Sequence, residues 1–151
     1  MATLKISDLS VGDWVIVEFP DGERWHGKLT QLSVTGGVEV CCTNGKHVRC
    51  AENFLKPIPI TAEILEKNGF IRCSCEFSIY EYTTLLGKIL RTTQVHLTTP
   101  QSVNVFLHDT TIERGYSHRE KTSVHILRDE LYVHDIQHAL RLAGVDKEIN
   151  L

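Results

Sequence analysis

The stretch Trp14-Val-Ile-Val-Glu-Phe-Pro-Asp-Gly-Glu-Arg-Trp-His-Gly-Lys-Leu-Thr30 decides the fold of the first part of this 151-residue chain. Trp14 to Phe19 is β-branched and aromatic, Pro20-Asp21-Gly22 is a turn signal, and a second strand-like run from Trp25 to Leu32 follows at once. The stretch therefore predicts a hairpin. Runs at Val38 to Thr43 and Lys46 to Cys50, set apart by Gly36-Gly37 and Asn44-Gly45, bring the expectation to about five short strands within residues 1–58. That density predicts a small closed or half-closed barrel, an arrangement that removes exposed strand edges. Trp14 and Trp25 either form an aromatic recognition patch on it or fill its core, and both readings stay open.

Working outward, Lys56-Pro-Ile-Pro-Ile60 marks a boundary, because two prolines hold an extended segment that cannot join a central ladder at both positions. Residues 1–58 and 59–151 are thus expected to form separate units. Thr61 is suited to N-cap a helix of about two turns through Ala62, Ile64, Leu65 and Lys67, which Asn68-Gly69 ends in a left-handed cap. Ile71, Cys73, Cys75, Phe77 and Ile79 alternate with Arg72, Ser74, Glu76, Ser78 and Tyr80, which predicts one half-buried strand with both cysteines facing the core. Further runs at Val95 to Thr98, Val103 to Leu107 and Ser123 to Leu127 complete an antiparallel meander. A helix from about Leu131 to Ala143 follows, and the fold class is α+β, rich in β.

Composition narrows the function classes. The chain is 42% hydrophobic and 23% charged, the balance of a globular protein, and it lacks an apolar run of the ~20 residues that would cross a bilayer. Met1-Ala-Thr-Leu-Lys5 has no apolar signal-peptide region, so a cytoplasmic location with no membrane partner is expected. Cys41, Cys42, Cys50, Cys73 and Cys75 are odd in number and contain no Cys-x-x-Cys, which favours reduced thiols serving as small core residues. Six Lys/Arg against seven Asp/Glu in residues 1–58, and ten against twelve in 59–151, leave no bulk basic excess, so nucleic acid is not the expected partner.

The C-terminal helix carries His134-Asp-Ile-Gln-His138. Two imidazoles one turn apart resemble the zincin pattern His-Glu-x-x-His, in which the carboxylate is general base to a metal-bound water. Here Asp135 is one methylene shorter than Glu, and a third ligand would have to come from His118, His125 or Asp146. A metal-dependent hydrolase using His134 and His138 is therefore an alternative reading, and no catalytic residue or cofactor is assigned. On the helical wheel Val133, Ile136, Ala139, Leu140 and Ala143 form the core arc. His134, His138 and Arg141 fall opposite it and are expected to face solvent or a cleft.

Two resemblances add to this. Leu9-Ser-Val-Gly-Asp-Trp-Val15 with the strand opening Gly27-Lys-Leu-Thr30 resembles the start of SH3-like barrels of the KOW and Tudor type, which implies a barrel that binds nucleic acid, peptide or protein. Pro57-Ile-Pro-Ile-Thr-Ala-Glu-Ile-Leu-Glu-Lys-Asn-Gly-Phe70 is similar to a signature of small proteins from gut Bacteroidales and their phages. So is the block Tyr132 to Ile149, with Val133-His134, Gln137, Leu140-Arg-Leu142, Gly144 and Lys147-Glu-Ile149. That family has no established activity, and its position equivalent to His138 often holds another polar residue such as Asn, which weakens the metal reading.

The resemblance implies a phage or mobile-element setting. There, a small protein without enzymatic machinery acts against host defence by sequestering a phosphorylated nucleotide signal or by docking on a host protein, alone or as a homo-oligomer. A phosphate-binding cleft needs cationic donors and an aromatic wall. Arg114, Tyr116, His118, Arg119 and Lys121, around the Gly115 turn, are the local candidates, with Arg141 and Arg91 as further cations. The competing reading of the same segment is a solvated hairpin tip.

Overall fold

The computed structural model describes residues 4–33, 37–73, 78–86, 89–99, 102–113, 116–127 and 130–151. Two compact units emerge, one of Met1–Pro59 with Tyr132–His134 and one of Ile60–Leu131 with Asp135–Leu151. Each is a curled or open antiparallel sheet, and with two short helices the chain is a β-rich α+β protein.

In the first unit, β1 (Trp14–Glu18), β2 (Arg24–Leu32), β3 (Gly37–Cys42), β4 (His47–Ala51) and β5 (Leu55–Lys56) pair in the order β4-β3-β2-β1-β5. This is a half-barrel with the strand order of an SH3-like fold. The turns form where the sequence places them: Gly22 N–H donates to Phe19 O at 2.9 Å and Gly45 N–H to Cys42 O at 2.9 Å. Both glycines have positive φ, 87° and 80°, a region that side chains with a Cβ disfavour.

Curl requires close approach between β2 and β3, and Gly27 permits it. A Cβ added there would lie 2.5 Å from Val40 Cγ1, 2.8 Å from Cys41 O and 3.0 Å from Cys42 Cα. Two of these are backbone atoms that cannot swing away. The concave side gathers Val15, Val17, Leu29, Val38, Val40, Cys42 and Leu55, with Leu4 and Leu9 buried in the same cluster. Strand alternation then turns Trp14, Ile16, Glu18, Arg24, His26, Lys28, Glu39, Cys41, His47, Arg49 and Lys56 to the convex side. The unit also holds an isolated bridge between Pro59 and Tyr132, beside a hydrogen bond from Val133 N–H to Ile58 O of 2.9 Å.

The second unit begins with α1 (Ala62–Lys67), capped by Thr61, whose hydroxyl accepts from Ile64 N–H at 3.3 Å. It continues through β6 (Ile71–Arg72), β7 (Ser78–Leu86), β8 (Ile89–Thr99), β9 (Ser102–Glu113) and β10 (Tyr116–Leu127), a meander in the order β10-β9-β8-β7-β6. Tyr80, Val95, Val105 and Val124 stand in one row across four strands, and the first three are buried.

The single strand expected over 71–79 is not formed. Ile71 pairs with Glu81 and Arg72 with Tyr80, so the chain reverses between β6 and β7 and the alternation is not continuous. Ile71 is 74% exposed whereas Tyr80, expected on the polar side, is 2% exposed. Cys73 is half-buried, and Cys75 and Phe77 lie outside the described residues.

Helix α2 (Val133–Leu142) buries Val133, Ile136, Ala139 and Leu140, the arc that the wheel selects, and Ala143 just beyond its end is buried too. Both helices end alike. Phe70 N–H reaches Leu65 O (3.1 Å) and Gly69 N–H reaches Glu66 O (2.9 Å), while Val145 N–H reaches Leu140 O (2.9 Å) and Gly144 N–H reaches Arg141 O (3.0 Å). These are Schellman closures, with Gly69 at φ 81° and Gly144 at φ 73°.

The chain then returns along α2, held by two side-chain amides. Gln137 Nε2 donates to Lys147 O at 3.0 Å and its Oε1 accepts from Ile149 N–H at 2.7 Å. Asn68 Nδ2 donates to Asn150 O at 2.7 Å and its Oδ1 accepts from Asn150 N–H at 2.8 Å. Both amides are buried, so each tail peptide group they meet is satisfied as it would be in a sheet.

Two stability outcomes follow from this packing. Gly27→Ala should cost about 1–3 kcal/mol by forcing β2 and β3 apart, and Asn68→Ala about 2 kcal/mol by removing its hydrogen bonds to Ile64 O and the Asn150 backbone. Urea unfolding checks both; unchanged midpoints would mean that neither contact constrains the fold.

Candidate ligand-binding face

The convex side of the half-barrel is built from strand registers. Trp14 stands opposite Lys28, Lys28 opposite Cys41 and Cys41 opposite His47. Ile16 stands between His26 and Lys56. An aromatic ring is thus bordered by cationic and imidazole side chains over the width of the sheet. The Lys28 ammonium lies over the Trp14 ring, 5.1 Å from its centroid, in a cation–π contact.

Two carboxylates fix the cations on either side. Glu18 accepts from Arg24 Nε at 2.7 Å and has Lys56 Nζ at 3.7 Å. Glu39 accepts from Arg49 Nε at 2.9 Å, with His47 Nδ1 at 3.4 Å. Four cations, Arg24, Lys28, Arg49 and Lys56, therefore stand against two carboxylates on this face, a local positive excess inside a chain of net charge −3. The hydrogen bond from Arg49 holds the Glu39 carboxyl below the ordinary carboxylate range, with its charge and His47 adding to the effect while partial desolvation opposes it. An open groove of about 600 Å³ adjoins this end of the face, lined by Gln31, Ser33, Gly37, Val38, Glu39, Arg49, Cys50 and Ala51.

The two tryptophans separate cleanly. Trp25 turns to the concave side, packs at the margin of the core and meets Phe19 edge-on at 4.8 Å, while its Nε1 donates to Glu23 at 2.8 Å. Trp14 turns outward. The sequence contains both residues but no signal of which side each takes, since that is set by the pairing of β1 with β2. Cys42 and Cys50 behave as core residues: burial pushes both thiols up, which suppresses the reactive thiolate.

Most of the other sequence candidates lie outside the described side chains. Arg114 lies outside the described residues, and Tyr116, His118, Arg119 and Lys121 are described only as backbone in β10, opposite Glu113, Thr111, Thr110 and His108. Arg141 is exposed in the last turn of α2, where a cation suits the negative helix end. Arg91 lies with Nη1 3.5 Å from Gly144 O, beside the closure of that same helix.

The histidine pair is placed differently from the wheel's prediction. His134 is 3% exposed and stacks on Tyr132, ring centroids 5.7 Å apart and 15° from parallel, and His138 is half-buried. The wheel treats α2 as a helix with one covered side. Tyr132 and the returning tail cover more of it. Among the described residues no three His, Cys, Asp or Glu side chains converge to hold a metal. Among them, too, no helix is long and apolar enough to cross a membrane.

Comparison of the chain with family models, with curated proteins and with solved structures found no match in any of the three.

The electrostatics of the face yield a direct check. Glu39 should protonate at lower pH than an unperturbed glutamate, and Arg49→Ala should move its carbon-detected NMR titration upward. Because the folded-state value is depressed, the stabilisation is present at neutral pH and fades as the pH falls through that value. A titration unaffected by Arg49→Ala would show that the pair is not formed in solution.

Proposed function

We propose that this chain is a non-enzymatic binding protein that captures a phosphate-bearing ligand. The observation that carries the reading is the convex face of the half-barrel, where Arg24, Lys28, Arg49 and Lys56 outnumber Glu18 and Glu39 around Trp14. Guanidinium and ammonium donors supply charge-assisted hydrogen bonds to phosphate oxygens, and the carboxylates hold three of the donors, Arg24, Lys56 and Arg49, in place.

The resemblance of residues 57–70 and 132–149 to proteins of gut Bacteroidales and their phages supports a phage or mobile-element setting. A binder of this kind would act there by sequestering a nucleotide signal of host defence, with docking on a host protein as the other route. Arg114, Arg119 and Lys121 remain candidates for a second contact with the same ligand.

Calorimetric titration with pyrophosphate and ATP at about 50 mM salt tests the reading. Binding is expected, and Lys28→Ala with Arg49→Ala should weaken it about tenfold or more, as loss of two charge-assisted contacts requires. Arg114→Ala with Arg119→Ala measures the contribution of the hairpin. Absence of heat with either ligand, or affinity indifferent to both double variants, would overturn the assignment.

A further inference from the structure

We infer that the convex face of the half-barrel is a track for single-stranded nucleic acid, with a base stacked on Trp14 and phosphates held by the cations on both sides of it. This rests on the reading of the chain as a phosphate-binding protein, and it names both the polymer and the residue that recognises its bases.

Shape favours a strand over a mononucleotide. The cations are spread from Lys56 on β5 to Arg49 on β4, four strand spacings of about 4.8 Å each, or roughly 19 Å along the curl. No single mononucleotide reaches both ends, whereas a chain of a few nucleotides does. The order along the face is Arg24 and Lys56 at Glu18, then Trp14 with Lys28, then Arg49 and His47 at Glu39. Charge, ring and charge thus alternate along the face as phosphates and bases alternate along a strand. The groove beside Gln31, Glu39 and Arg49 lies at one end of the track and, at about 600 Å³, has the volume of a small-molecule site, enough for one terminal nucleotide.

Lys28 links the two functions. Its ammonium rests over the Trp14 ring. A phosphate recruits that ammonium, the flexible four-carbon stem swings with it, and the ring face is left for a base. Reading by stacking accepts any base, so the track has little sequence preference. The even charge of the whole chain does not oppose this, because counterion release depends on the local cations that meet phosphates.

Fluorescence anisotropy of labelled oligothymidylate and oligouridylate of about eight residues tests the inference, the two arms separating DNA from RNA. Binding should weaken linearly with log salt concentration, and Lys28→Ala should lower that slope by about one. Trp14→Ala should weaken binding at least about fivefold, Trp14→Phe should retain most of it, and Lys67→Ala on α1 should change nothing. Circular dichroism establishes that each variant is folded. Absence of oligonucleotide binding at about 50 mM salt, or affinity unaffected by Trp14→Ala in a folded protein, overturns the track. If ATP or pyrophosphate still binds in that case, the phosphate reading survives and only the strand is wrong; if neither binds, both fail.

Discussion

The second unit depends on two buried amides that treat the end of the chain as a strand. Gln137 and Asn68 each donate and accept toward tail backbone, at Lys147, Ile149 and Asn150. A primary amide presents a donor and an acceptor side by side, the pattern of a peptide edge, so two side chains do the work of a missing neighbour strand. Without them the buried Ile149 N–H would be left unpaired, at a cost of about 1–3 kcal/mol, and the part-buried groups of Lys147 and Asn150 would lose their partners. Asn68 also donates to Ile64 O at 2.7 Å, joining the end of α1 to the tail in one network.

That network draws on two stretches of the sequence, residues 57–70 and 132–149, and on Asn150. Thr61, Asn68, Gly69 and Phe70 in the first stretch, and Gln137, Leu140, Gly144, Lys147 and Ile149 in the second, are caps, left-handed closures and amide contacts. Lys147 also places its ammonium over the Tyr82 ring at 4.5 Å, and Tyr82 meets Phe70 at 5.5 Å. These residues specify a scaffold. The proposed ligand face lies elsewhere, on a sheet whose curl Gly27 permits and whose cations Glu18 and Glu39 hold.

Features governed by local rules were legible in the sequence. Pro20-Asp21-Gly22, Asn44-Gly45, the Thr61 cap, the Asn68-Gly69 stop and the buried arc of α2 each depend on residues a few positions apart. Features that depend on pairing partners were not. The hydrophobic alternation from Ile71 to Ile79 spans a reversal, so counting through it put Tyr80 on the wrong side. Strands β8 to β10 run further than their apolar runs suggest, because threonine and other polar residues extend them as long as a neighbour completes the ladder. A helical wheel turns His134 toward solvent or a cleft because it counts one covered side, while Tyr132 stacks on the other. Of the proposed face, Trp14 is a candidate in the sequence, but its company of Lys28, His26, Lys56 and Arg49 exists only once five strands are registered.

The most direct test of this division between scaffold and surface is a two-dimensional amide NMR titration of the whole chain with oligothymidylate. The account predicts shifts at the Trp14 indole and at His26, Lys28 and Arg49, with Ile149 and Asn150 unmoved. Shifts centred on His134 to His138, or on residues 114–121 with the half-barrel silent, would contradict it.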